Sequence, residues 1–185
     1  GLSTIGAGSN VTIKWYLDVN VTNADATALE NANVTGIDTN GASSFSELTN
    51  SSGFITKKEV IEYIKWGTST VYNTDYAINA TYDGAVNSTA LSLTDNTQLD
   101  ISLNLSNINT CGNLTSANTI YTLQNNISAT EKCLTIGANN ITIDFSGFSI
   151  NGDDGTSDHG VTCTNYNLTT IKNGLIYDAG NNVNL

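Results

Sequence analysis

The chain has 185 residues, enough for one large domain or two small ones, each with a buried core. Seventeen acidic residues stand against six lysines and no arginine, and the net charge of -11 disfavours nucleic acid and anionic membranes as partners. A hydrophobic share of 39% with only 12% charged residues argues for a folded chain, and no stretch approaches the roughly 18 consecutive apolar residues of a membrane span.

Residues 1–9 are read as a flexible N-terminal segment, a candidate for strand addition to a neighbour's sheet. The segment from Asn10 to Thr22 then alternates strictly, with Val11, Ile13, Trp15, Leu17, Val19 and Val21 on one face and polar residues plus Tyr16 on the other. That pattern predicts a half-buried strand with Trp15 in the core. Further β-type runs follow at 33–38, 43–48, 76–82, 90–93 and 98–105, separated by Asn, Asp, Gly and Ser clusters. Short strands at regular spacing point to a sandwich over about residues 10–105. One segment resists that pattern, because Thr56-Lys57-Lys58-Glu59 spells a capping box ahead of Val60, Ile61, Ile64 and Gly67. We read it as a strand all the same. Trp66 has no face assigned by the pattern and is the better candidate of the two tryptophans for a sugar-stacking platform.

From about Asn107 the chain changes to short Ile, Leu and Val runs between Asn and Gly corners. Shifting it by 27 residues aligns Leu134 with Val161, Ile136 with Cys163, Asn140 with Asn167, Ile141 with Leu168, Thr142 with Thr169, Gly147 with Gly174 and Phe148 with Leu175. Such a period, built of short strands, predicts coils of a β-solenoid over residues 106–185. Asn and Gly suit the corners because they tolerate the left-handed backbone a turn between faces needs. Each coil buries its inner face only against neighbours, so the last coil must be covered by further chain or by another copy. The start at Gly1 without Met is read as a processed or excerpted product.

These segments resemble known families. Ala32-Asn-Val-Thr-Gly-Ile-Asp38, Leu48-Thr-Asn-Ser-Ser-Gly53, Tyr76-Ala-Ile-Asn-Ala-Thr-Tyr-Asp-Gly84 and Leu99-Asp-Ile-Ser-Leu103 are similar to the carboxypeptidase-regulatory-like β-sandwich. Cys111-Gly-Asn-Leu114 through Cys133-Leu-Thr-Ile136, then Asn140-Ile-Thr-Ile-Asp-Phe-Ser-Gly-Phe-Ser-Ile-Asn-Gly152 and Thr170-Ile-Lys-Asn-Gly174, resemble the start of a right-handed parallel β-helix. The pair together is similar to large archaeal and environmental microbial cell-surface glycoproteins. The resemblance implies an all-β chain, an Ig-like or regulatory-like sandwich followed by a short right-handed β-helix, and specifies architecture more than activity.

In an extracellular chain Cys111 and Cys133 are the natural disulfide pair, bracketing the entry to the coils. Cys163 stands where Ile136 stands one coil earlier and is expected to face the core. Eleven sequons, at Asn10, Asn20, Asn33, Asn50, Asn79, Asn87, Asn104, Asn113, Asn126, Asn140 and Asn167, exceed the roughly six that chance gives and mark candidate N-glycan sites. The loop 151–160 holds Asp153, Asp154, Asp158 and the single His159, a weak candidate for a cation site. Polygalacturonases share the β-helix and set catalytic Asp and His-Gly elements about a coil apart, whereas here they fall in one loop. Pectate lyases typically use an Arg base, which the chain lacks. No phosphate-cradling glycine motif is present and no cofactor is expected.

The reading these features favour is a non-enzymatic structural subunit of an N-glycosylated extracellular filament or cell-surface assembly, polymerising with itself head to tail. Two rivals remain at this stage: a carbohydrate-binding adhesin module using Trp66, and a fragment of a β-helix polysaccharide lyase or hydrolase.

Overall fold

The structure is a computed structural model that describes residues 6, 8–153, 159–177 and 179 and the backbone of 181–184. The described residues are all-β, and they form two compact units, residues 1–103 and 104–185.

The first unit holds β1 (Asn10–Asn23), β2 (Asn33–Ile37), β3 (Ser43–Leu48), β4 (Lys58–Trp66), β5 (Ser69–Tyr72), β6 (Tyr76–Tyr82), β7 (Ala85–Leu91) and β8 (Thr97–Leu103). They form two four-stranded sheets, β5-β4-β1-β8 and β3-β2-β6-β7. Leu17, Val19, Val21, Val60, Ile101 and Leu103 of one sheet and Val34, Tyr76, Ile78, Ala80 and Ala85 of the other are buried, so the core is the layer between the sheets. The alternation of β1 produces this: its period of two sends every second residue inward. The phenol of Tyr76 crosses the layer to donate to the carbonyl of Ile61 at 2.8 Å. Burial pushes that phenol above its usual pKa.

The capping-box segment is a strand, because β4 pairs antiparallel with the first half of β1 from Asn10–Trp66 to Leu17–Lys58. The other edge of β1 is taken by β8, which runs parallel to it from Leu17–Thr97 to Asn23–Leu103. Trp15 differs from its expected place. It is half-buried, with its indole N–H donating to Glu62 Oε2 at 2.7 Å. The ladder shifts between Ile13–Tyr63 and Lys14–Ile61, leaving Glu62 as an extra residue on β4, and that bulge brings the carboxylate to the indole. The run expected at 90–93 only overlaps the last two residues of β7, which begins at Ala85 and ends at Leu91.

Three corners of this unit use one device. Oδ1 of Asn23, Asp38 and Asn50 each accepts the backbone amides two and four residues on, at 2.8–3.1 Å. Asp38 also accepts from Asn73 Nδ2 at 2.8 Å. Led by the Ala42 amide, these donors hold its carboxyl below the usual range.

The second unit holds β9 (Leu105–Ile108), β10 (Gly112–Leu114), β11 (Ile120–Leu123), β12 (Ile127–Ser128), β13 (Leu134–Ile136), β14 (Thr142–Asp144), β15 (Ser149–Asn151), β16 (His159–Cys163), β17 (Thr170–Lys172), β18 (Leu175–Tyr177) and β19 (Asn181–Asn184). Successive strands return to three parallel sheets, β17-β14-β11-β9, β10-β13-β16-β19 and β12-β15-β18. The chain therefore winds in coils around one core that includes Leu114, Leu123, Ile127, Leu134, Ile136, Ile143, Phe145, Ile150 and Val161.

The 27-residue shift holds on one sheet, where Leu134 pairs with Val161 and Ile136 with Cys163. It slips by one on each of the others, since Thr142 pairs with Thr170 and Ser149 with Leu175. The coil before it is shorter: Gly112 pairs with Leu134 and Ile120 with Thr142, both 22 residues apart. The longer period comes chiefly from extra residues between β15 and β16.

Candidate assembly face and glycan sites

The entry to the coils is fastened covalently. Cys111 and Cys133 form a disulfide across 22 residues of chain, and the amide of Gly112 donates to the carbonyl of Cys133 at 2.9 Å. Cys163 is a free thiol, buried on β16 as its alignment with Ile136 predicts, with Sγ 3.5 Å from the carbonyl of Tyr166.

Asparagine laces one corner of successive coils. Asn118 and Asn140 both have left-handed backbone, at φ of 57° and 55°. Asn140 Nδ2 donates to Asn118 Oδ1 at 2.9 Å, the Asn140 amide donates to the carbonyl of Asn167, and the Asn167 amide donates to Asn139 Oδ1. Nearby, Asp144 is buried in the wall of the stack. Its carboxylate meets Lys172 Nζ at 2.8 Å and accepts from the Ser146 amide at 2.8 Å and from Asn173 Nδ2 at 3.1 Å. Burial alone would push this carboxyl up, but the lysine and the two donors outweigh it and hold the pKa below the usual value.

The sequons divide by exposure. Asn10, Asn50, Asn104, Asn113, Asn126, Asn140 and Asn167 are exposed, whereas Asn20, Asn33, Asn79 and Asn87 are half-buried. Asn20 Oδ1 is enclosed without a hydrogen-bond partner among the described residues, and Asn87 Nδ2 donates to the carbonyl of Ser102 at 2.8 Å. Asn10 lies directly across the β1–β4 ladder from Trp66, which is 44% exposed. Asn113 and its sequon partner Thr115 line a groove of about 380 Å³ with Thr135, Ile136, Gly137, Thr164 and Tyr166. Exposure of this kind is not written in the Asn-x-Ser/Thr pattern. Strand register was the available signal, since Asn and Thr at i and i+2 share a face.

Of the weak cation candidates, Asp153 is described and exposed, and Asp154 and Asp158 lie outside the described residues. Among the described residues no three His, Cys, Asp or Glu side chains come together as a metal-binding group. No helix among them is long and apolar enough to cross a membrane. The start 1–9 also falls largely outside the described residues, and with it the proposed strand addition.

The outermost described coil differs from the one beneath it. Ile143 and Ile150 are 0% exposed, yet their ladder partners Ile171 on β17 and Ile176 on β18 are only half-buried. Leu168, Leu175 and Tyr177 on the same coil are exposed. Among the described residues β17 and β18 each have a strand on one side only.

No family model matches the chain, and no curated protein does. Among solved structures it is similar to BcpA, the major pilin subunit of Bacillus cereus, at 15% identity and a TM-score of 0.36, covering 53% of this chain and 35% of that one. It is similar also to the TIE protein of Bacillus anthracis, at 13% identity and a TM-score of 0.35, covering 52% of this chain and 19% of that one. The chain thus spans well under half the length of either neighbour.

Proposed function

We propose that this chain is a non-enzymatic structural subunit of an N-glycosylated extracellular filament or cell-surface assembly, its copies joined head to tail through the outermost coil. The observation that carries this reading is the contrast between coils: Ile143 and Ile150 are sealed, and Ile171 and Ile176 in the same inward register are not. A solenoid coil buries its apolar face only against the next coil, and an open strand edge offers unpaired backbone groups to a partner. Further coils of a longer chain would satisfy both, and so does a second copy seated there. Because such a contact joins unlike surfaces, it propagates a filament wherever its rotation does not close a ring.

Two features support the setting. The Cys111–Cys133 disulfide suits an oxidising compartment outside the cell. Glycans on the seven exposed sequons would shield the strand edges from unwanted pairing and the backbone from proteases.

Negative-stain electron microscopy of the native secreted material is expected to show regular fibres or lattices, and discrete particles would overturn the assembly. Incubation with acidic polysaccharide is expected to release neither reducing ends nor unsaturated products. Turnover would overturn the non-enzymatic part.

A further inference from the structure

Trp66 is a large aromatic that the sandwich leaves in solvent. Trp15 spends its indole N–H on Glu62, but the Trp66 indole meets no acceptor among the described residues. The residue is 44% exposed. An amphipathic side chain held this way presents an apolar face to whatever sits beside it.

What sits beside it is a sequon. Asn10 and Trp66 form the terminal pair of the antiparallel β1–β4 ladder, and Thr12 pairs with Ile64 two positions along. Directly opposed residues share a face with Cβ atoms about 4.5–5.5 Å apart, so the Asn10 amide and the indole are immediate neighbours. Thr12, whose hydroxyl completes the sequon, lies on that same face, and both Asn10 and Thr12 are exposed. Among the described residues the surroundings leave room. Across β4 the neighbour of Trp66 is the small Ser69 of β5, and on the other edge of β1 the pairing with β8 begins only at Leu17. The same chemistry recurs in the second unit, where Asn113 and the 40% exposed Tyr166 line one groove.

We propose that the first pyranose of an N-linked glycan on Asn10 stacks its apolar C–H face on the indole of Trp66, making Asn10 an ordered, stabilising glycan site. This rests on the glycosylated reading above and deepens it. The stack removes ring and sugar surface from water and ties the first strand to the end of β4, where the ladder would otherwise fray.

The test is a double-mutant cycle on the full chain, secreted from a host that glycosylates Asn-x-Ser/Thr and trimmed enzymatically to single N-acetylglucosamine stubs. The four proteins are the parent, Asn10→Gln, Trp66→Ala and the double variant, so that stubs at other sequons cancel. Peptide mapping first establishes occupancy at Asn10. With Asn10 occupied, removal of its stub by Asn10→Gln is expected to lower the melting temperature of the parent by about 4 °C and that of Trp66→Ala by much less. Trp66→Phe is expected to restore most of the difference. In the parent, ring-current shifts should move the stub's ring protons upfield. An occupied Asn10 with no coupling and no upfield shift would overturn the stack while leaving glycosylation intact. An unoccupied Asn10 would overturn the glycan at this site and the stack with it.

Discussion

Asp144 shows how a single buried group couples the coil stack to pH. Its carboxyl titrates below the usual 3.8, so the folded form binds the proton less readily than the unfolded chain. The stability it contributes is complete above about pH 4 and is lost as pH falls through the lower folded value. Asp144→Asn is therefore expected to cost about 2 kcal/mol at pH 7, since it removes the carboxylate that faces Lys172, and less at pH 2. Urea midpoints for parent and variant at the two pH values check this. An equal cost at both would mean that shape, not charge, holds the site. Two glycines make a second contrast at this scale. The repeat aligned Gly147 with Gly174, yet Gly147 has φ of +86° with open space around it, whereas a Cβ on Gly174 would meet the carbonyl of Phe148 at 2.5 Å and press on Phe145. Gly147→Ala then costs about 1 kcal/mol of backbone strain. Gly174→Ala costs about 3 kcal/mol because the obstacles, the Cβ of Phe145 and the carbonyl of Phe148, are fixed to the backbone of the neighbouring coil. Thermal melts of the two variants read the difference, and equal losses would reject it.

At the scale of elements, the disulfide fastens the start of β10 to the start of the strand stacked on it, β13. Closing a loop of 22 residues stabilises by roughly 3 kcal/mol in the chain-entropy account. Reduction is therefore expected to shift the urea midpoint of the coil unit, followed through hydrogen exchange of β10 and β13, while the exchange of β1 and β4 stays unchanged. A shift in both units, or in neither, would reject this. The elements also show what a sequence displays and what it conceals. Strict alternation located β1, because a face packed on the core demands it, but it placed Trp15 too deep. The bulge at Glu62 belongs to the partner strand, and no reading of β1 alone contains it. Local helix signals at 56–59 lost to the open edge of β1, which β4 covers with a ladder of backbone bonds worth more than a cap. The parallel pairing of β1 with β8 joins residues about 80 apart, and nothing in either segment announces it. The 27-residue shift found the right pairs on β13 and β16 and slipped on the other two sheets, since corners of unequal length break a constant period. The site was legible to a similar depth: composition revealed the sequons, and only the ladder revealed that Asn10 has Trp66 beside it.

At the scale of the whole molecule, the assembly reading makes a demand that separates folding from association. The inward positions of the outermost coil should tolerate a charge in the isolated subunit, because Ile176 is only half-buried, while its partner Ile150, sealed at 0% exposure, should not. Ile150→Lys is expected to unfold the coil unit, as an unpaired charge in a closed core costs several kcal/mol. Ile176→Lys is expected to leave a folded subunit, since the ammonium can reach water along its stem, and to block docking, because an inward charge on an open edge is how strands avoid pairing. Circular dichroism establishes that the Ile176→Lys subunit is folded, and sedimentation velocity with electron microscopy then reads its state. Folded single subunits in place of fibres are the expected result. Fibres that persist with Ile176→Lys would mean that the copies meet elsewhere, and the outermost coil would lose its role as the assembly face.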